Sequence, residues 1–283
     1  MNNRRAFTLI ELLVVIAILG ILSAMLVPVV NGALQKGRMV REKACGRNLM
    51  IGLFNYAADH DSAILPGYRN EPVSGPDGRM LSFPASARYP WRLLPYAGGT
   101  DKKIMWATRV SADLTDASSE AYAVSVSPSF GMNTFFVGGD DSGNSGQGIR
   151  PTDANFARFG TFCITRIEQA VNPSRQIVFA SARMLGDKGR IVPGYFMVQA
   201  PAVVGNLWSS APFDPDAPPA RHGFVDFRYE GRAVVAHLDG HVELLGETDL
   251  RDLRRWSNLA AMADDPDHRL GRRVNAIDLL ADK

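Results

Sequence analysis

Three sets of residues in this 283-residue chain carry chemistry beyond folding. His222, His237, Asp239 and His241 are the first, because imidazole and carboxylate groups are the usual zinc ligands and proton carriers. In AVVAHLDGHVELL, a two-residue Asp239-Gly240 turn of type I′ sets His237 opposite Val242 and Val235 opposite Leu244. That register sends His237 and His241 to opposite faces of the hairpin, so no metal and no catalytic role is expected there. The second set is Asp140, Asp141, Ser142 and Asn144, oxygen donors in GGDDSGNSGQG (138–148) with the hardness calcium prefers. Their spacing matches no calcium loop, and a flexible, solvated surface excursion is the simpler reading. The third is Cys45 and Cys163, the only cysteines, too few for a disulfide scaffold or a four-cysteine zinc site. In an oxidising compartment they can form one bridge if the fold brings their Cα atoms to roughly 4.4–6.8 Å. With no Ser-His-Asp order, phosphate-cradling loop or basic-aromatic stripe, neither an enzyme nor a cofactor is expected. A net charge of +2 implies no nucleic-acid partner.

The elements that must position these groups begin at the amino terminus. Leu12 to Val30 carries no charge, and at ~1.5 Å per residue a helix of that length reaches roughly 28 Å, about the bilayer's hydrocarbon thickness. A secretory signal peptide and a buried core helix are the competing readings. The first has a shorter apolar region and a small-residue cleavage site, and the second is not expected at an extreme terminus. Arg4 and Arg5 favour a cytoplasmic amino terminus, whereas Lys36, Arg38, Arg41, Lys43 and Arg47 pull the other way. Glu11 stands directly before the apolar run, where a carboxylate is expensive and calls for a reason.

RRAFTLIELLVVIAILGILSAMLVP resembles the leader and first helix of type IV pilins and type II secretion pseudopilins. That resemblance implies a leader (1–6), cleavage between Ala6 and Phe7 by a prepilin peptidase, and N-methylation of Phe7 by the same enzyme. Ala6 stands where the family prefers glycine, so slow processing is expected. Glu11 becomes the fifth residue of the mature chain, the carboxylate that in the family pairs with a neighbouring subunit's terminal amine during assembly. Other pilin or pseudopilin subunits, inner-membrane assembly machinery and the lipid bilayer are the implied partners. The implied location is the inner membrane, single-pass, with a cytoplasmic amino terminus and a periplasmic head. The expected product is a secretion pseudopilus or pilus-like filament, and the alternative is an anchored surface module that binds carbohydrate, protein or DNA. ACGRNLMIGLFNYAADHDSAILP, WRLLPYAGG, SFGMN, NPSRQIVFASA, RHG and LDGHVELL are similar, in that order, to segments of pilin-like proteins of planctomycetes with a carboxy-terminal His…Asp-Gly motif. Sixteen residues separate His222 from Asp239, more than such proteins place there, so an inserted FVDFRYEG-like segment is expected.

The expected fold class is α+β, a long amino-terminal helix packed on an antiparallel sheet. After the transmembrane and assembly helix (7–30), an amphipathic continuation (31–60) turns Val40, Ala44, Leu49, Leu53 and Tyr56 inward. Gly32, Gly37, Gly46 and Gly52 weaken it, and Pro28 should kink it. A globular head (61–246) holds strands at Ile177–Ala180, Tyr195–Val198 and Ala233–Leu238, with PFDPDAPPA (212–220) as surface loop. A carboxy-terminal helix and tail (247–283), capped by Thr248, turns Leu250, Leu253, Trp256 and Leu259 or Ala260 inward.

Overall fold

The computed structural model describes residues 9–75, 78–98, 105, 117–141, 149–186, 189–203, 206–268 and 270. Its first element is one helix, α1 (Leu9–Asp59), continuous through Pro28 and through all of its glycines. The chain divides into two compact units, residues 1–40 and 41–283, and α1 contributes to both. In the first unit the large apolar side chains of α1 are exposed, from Leu9 through Leu34 to Val40. A core helix would have hidden them, so that reading is excluded, and the segment is long and apolar enough to cross a membrane.

Within the second unit, α1 buries Glu42, Cys45, Leu49, Met50, Leu53 and Ala57. Val40 and Ala44, expected inward, are exposed. The stripe is rotated because the positions that meet the sheet are 42, 45, 46, 49, 50 and 53, spaced three and four apart with a carboxylate among them. Two of the helix glycines are contact points. A Cβ on Gly46 would sit 3.2 Å from the Phe130 ring, and one on Gly52 only 2.7 Å from the Ala97 Cβ.

Two short strands, β1 (Val73–Ser74) and β2 (Met80–Leu81), and the helices α2 (Tyr89–Leu93) and α3 (Ala117–Val126) follow. Then come β3 (Phe130–Met132), α4 (Asp153–Phe159), β4 (Ile177–Ser181), β5 (Arg183–Leu185), β6 (Ile191–Pro193), β7 (Ala202–Val203) and β8 (Asn206–Leu207). The chain closes with β9 (Arg232–His237), β10 (Val242–Gly246), α5 (Glu247–Leu250) and α6 (Asn258–Ala263). The central sheet is antiparallel in the order β10-β9-β4-β3, so the α+β class is as the patterning predicts. All five residues of β4 and the last five of β9 are buried, which requires both sheet faces to be covered. The carboxy-terminal half of α1 covers one face, where Phe130, Phe179, Ser181 and Val242 point. The carboxy-terminal segment covers the other, with the Trp256 carbonyl accepting from Asn133 Nδ2 and Gln176 Nε2.

Four expectations are corrected here. Tyr195–Val198 is no strand of the sheet but an irregular run that touches β3 through one parallel bridge at Met132 and Met197. The carboxy-terminal helix is broken into α5, a 3-10 turn at Leu253–Arg255, and α6. Asp252 and Ser257 cause the breaks, since each side chain caps a new turn, on the Arg254 and Ala260 amides. The first break also lets the Trp256 indole donate to the Leu250 carbonyl. The amino-terminal cap is Gly246, whose amide donates to Asp249, rather than Thr248. Gly138, Gly139 and Asp140 are buried instead of belonging to a solvated excursion. A side chain at Gly138, where φ is +73°, would collide with the Leu65 carbonyl.

Candidate assembly segment and hairpin site

Glu11 lies near the start of the described part of α1, directly before its apolar run. It is exposed, as are the apolar residues that follow it. Gly20, Gly32 and Gly37 have no atom of the chain within 4 Å of where a Cβ would sit. Nothing inside the head therefore requires glycine at these three positions, in contrast to Gly46 and Gly52. The predicted cleavage site, Ala6 and Phe7, lies outside the described residues.

Where α1 enters the head it is held by a buried ionic cluster that the sequence reading missed. Glu42 is completely buried and accepts hydrogen bonds from Ser181 Oγ at 2.6 Å and from the Tyr229 hydroxyl at 2.5 Å. Arg228 lies 3.6 Å from the same carboxylate and pairs with Asp226 at 3.0 Å. Burial pushes the Asp226 carboxyl above its usual range despite Arg228, and raises the Tyr229 phenol with help from Glu42. Asp226, Arg228 and Tyr229 all belong to the segment FVDFRYEG, which begins at a left-handed Phe224 and bridges back to Ala182 through Val225. The signal for Glu42 was available. It precedes Cys45, Leu49 and Leu53 by three, seven and eleven residues, placing a carboxylate on the buried stripe.

The hairpin is the second site, and here the expected geometry is overturned. Val242 pairs with Ala236 and Glu243 with Val235, while the His237 amide donates to the His241 carbonyl at 3.0 Å. The pairing is one residue out from the type I′ arrangement. The loop has three residues, Leu238, Asp239 and Gly240, closed by the Gly240 amide on the His237 carbonyl, with Gly240 at φ +92°. This is a turn followed by a left-handed bulge position. Two contacts outside the hairpin favour it, the Leu238 amide on the Gln176 carbonyl and the packing of Gly240 against Phe54. Because side chains alternate along a strand, a slip of one residue moves His241 to the face of His237. Their rings stack with centroids 4.2 Å apart and planes 7° from parallel.

Glu243, two residues along the same face, completes a triad. Its Oε1 is 3.1 Å from His237 Nε2 and 3.7 Å from His241 Nε2. The other His241 nitrogen, Nδ1, lies 2.6 Å from Asp239 Oδ1, which also accepts the His241 amide. Burial works against ionisation of Asp239, yet these two hydrogen bonds hold its carboxyl below the usual range. His237 is fully buried and neither ring nitrogen has a hydrogen bond of good geometry. Burial foremost, and the neighbouring His241 next, push its imidazole down to about 4, against the opposing pull of Glu243 and the Arg175 carbonyl. It is therefore neutral at pH 7, with one ring nitrogen protonated and the other presenting a lone pair.

His222 does not join this group. It is buried against Trp208, Phe213 and Phe227, with Nε2 3.4 Å from Glu247. Of the calcium candidates, Asp140 is buried and Asp141 is paired with Arg69, while Ser142 and Asn144 lie outside the described residues. Cys45 and Cys163 are both buried free thiols. Burial raises both thiol pKa values, which leaves them inert.

No curated protein and no solved structure matches the chain. Residues 1–27 match the family model described as the prokaryotic N-terminal methylation motif, and with the apolar helix that follows, this match supports a type IV pilin-like protein processed by prepilin peptidase.

Proposed function

We propose that the chain is a structural subunit that assembles through its amino-terminal helix into a type II secretion pseudopilus or a type IV pilus-like filament. The observation that carries this reading is the methylation motif, residues 1–27, overlapping an exposed apolar helix in which Glu11 stands directly before the uncharged run. Cleavage before Phe7 would create a charged amine four residues from Glu11. A charged group among lipid tails costs about 2.5–3.5 kcal/mol at mid-membrane, and a neighbour's amine arriving in the same layer relieves that cost and selects the insertion register. The unexplained glycines at 20, 32 and 37 offer surfaces on which another helix can approach closely. The head would then face away from the cytoplasm, and the protein would act by assembly rather than turnover.

Intact mass of the purified protein tests processing, the expected species beginning at Phe7 with one added methyl. Filaments sheared from cells test assembly. Wild-type chain should be recovered in them, and Glu11→Val should be processed yet absent. Wild-type chain that is processed and never enters filaments would refute the subunit reading. That result would favour the anchored binding module, for which the head offers a cleft of about 890 Å³ lined by Arg183, Arg190, Phe213 and Arg228.

A further inference from the structure

We propose that the hairpin triad His237, His241 and Glu243 binds one divalent transition-metal ion of the zinc class, with water in the remaining position. The three ligand atoms lie within 4.8 Å of one another. A tetrahedral ion with bonds of about 2.0–2.1 Å separates its ligands by about 3.3–3.4 Å; the two approaches to Glu243 Oε1, 3.1 and 3.7 Å, bracket that value, and the two histidine nitrogens, within 4.8 Å, would have to draw together. The donor set of two imidazoles and one carboxylate suits zinc, with an open fourth site.

An independent observation points to a ligand. His237 is fully buried, neither ring nitrogen makes a hydrogen bond of good geometry, and Nε2 lies 3.1 Å from the Glu243 carboxylate. An unsatisfied buried polar group costs roughly 1–3 kcal/mol, and a bound ion would satisfy it. Asp239 supplies the outer support. By accepting from His241 Nδ1 it fixes the tautomer that leaves the Nε2 lone pair free, the arrangement in which metal-ligating histidines are usually held. His237 is buried, whereas the side chains of His241 and Glu243 are 42% and 40% exposed and free to adjust around an ion. One group opposes binding. The Arg255 guanidinium lies 3.6 Å from Glu243 Oε1 and would have to move aside. The ion would tie the end of β9 to the start of β10 across a loop whose Gly240 rests on Phe54 of α1.

Full-length protein in detergent micelles, stripped with a chelator, is titrated with Zn²⁺ against a chromophoric chelator and with Co²⁺ by absorbance. Saturable one-to-one binding with tetrahedral cobalt bands is expected. His241→Ala, at a half-exposed position that the fold tolerates, should abolish it, and Asp239→Ala should weaken it about 10- to 100-fold. Arg255→Gln should tighten it, whereas His222→Ala should leave it unchanged. The absence of saturable binding, or equal binding by His241→Ala, overturns the proposal. His237→Gln gives the same reading where it folds, and the decision rests on His241→Ala where it does not.

Discussion

Replacing Glu42 with alanine removes the acceptor of two short hydrogen bonds at the centre of the helix–sheet contact. Hydrogen bonds to a charged group contribute about 1.5–3 kcal/mol each, and breaking a buried ionic contact from one side costs about 3–5 kcal/mol. Not all of that is lost here. Ser181 keeps the Val234 carbonyl at 3.3 Å and the Val234 amide at 3.0 Å, and Arg228 keeps Asp226. The groups left stranded are the Tyr229 hydroxyl and one side of Arg228, while the cost of burying the carboxylate itself is recovered. The net loss should lie near the lower bound, about 3 kcal/mol. For a unit spanning residues 41–283 this lowers Tm by about 6–12 °C, since each kcal/mol is worth about 2–4 °C at that size. Thermal unfolding of full-length protein in micelles, followed by tryptophan fluorescence, reads the shift. Tyr229→Phe provides the second corner of a double-mutant cycle, with an expected coupling of at least ~1 kcal/mol. A Tm within about 1 °C of wild type, or strictly additive effects, would refute the claim that this cluster holds α1 to the head.

Acid should weaken the metal-free head through His237. His237 is held down to about 4 in the folded state, and an unfolded histidine titrates near 6.5, so the unfolded chain binds the extra proton between those values. Stability is then complete above pH ~6.5 and falls by up to about 3 kcal/mol as pH drops toward 4. His241, Glu243 and Arg255 face the ring and modulate the window. Asp239, Glu247 and Asp252 are all held below the usual carboxylate range and contribute only to losses at lower pH. Urea unfolding at pH 7 and 4.5 with chelator present measures the difference, and equal stabilities would contradict the burial of a neutral His237. Gly52→Ala should lower Tm, because overpacking against Ala97 costs about 1–3 kcal/mol and the helix-propensity gain returns only about 1. Gly37→Ala, with open space around it, should not lower Tm. Cys45 and Cys163 should react with iodoacetamide only after denaturation, and non-reduced protein that resists labelling even then would reveal a bridge.

Much of the architecture is legible in the residues because it rests on local patterns. Nineteen uncharged residues in a row read as an apolar segment, and the apolar, β-branched run at Ala233–Leu238 reads as a strand wherever it is placed. The carboxy-terminal helix was misread for an equally local reason. Its apolar spacing is helical, and Leu250, Leu253, Trp256 and Ala260 are indeed buried, but Asp252 and Ser257 restart the helix at each turn. Periodicity shows which side faces inward and is blind to such breaks.

The sequence by itself determined the amino-terminal segment: a processing motif, an apolar helix and one carboxylate, all contiguous and needing no partner elsewhere in the chain to be recognised. Tertiary structure alone decided the two polar sites of the head. Glu42 meets Ser181 and Tyr229 across 139 and 187 residues, distances over which no spacing rule operates. At the hairpin, Asp239-Gly240 is compatible with a two-residue and a three-residue loop, and contacts from Gln176 and Phe54 outside the hairpin favour the longer one. That choice of one residue in register puts His237, His241 and Glu243 on one face, because alternate side chains of a strand point to opposite sides.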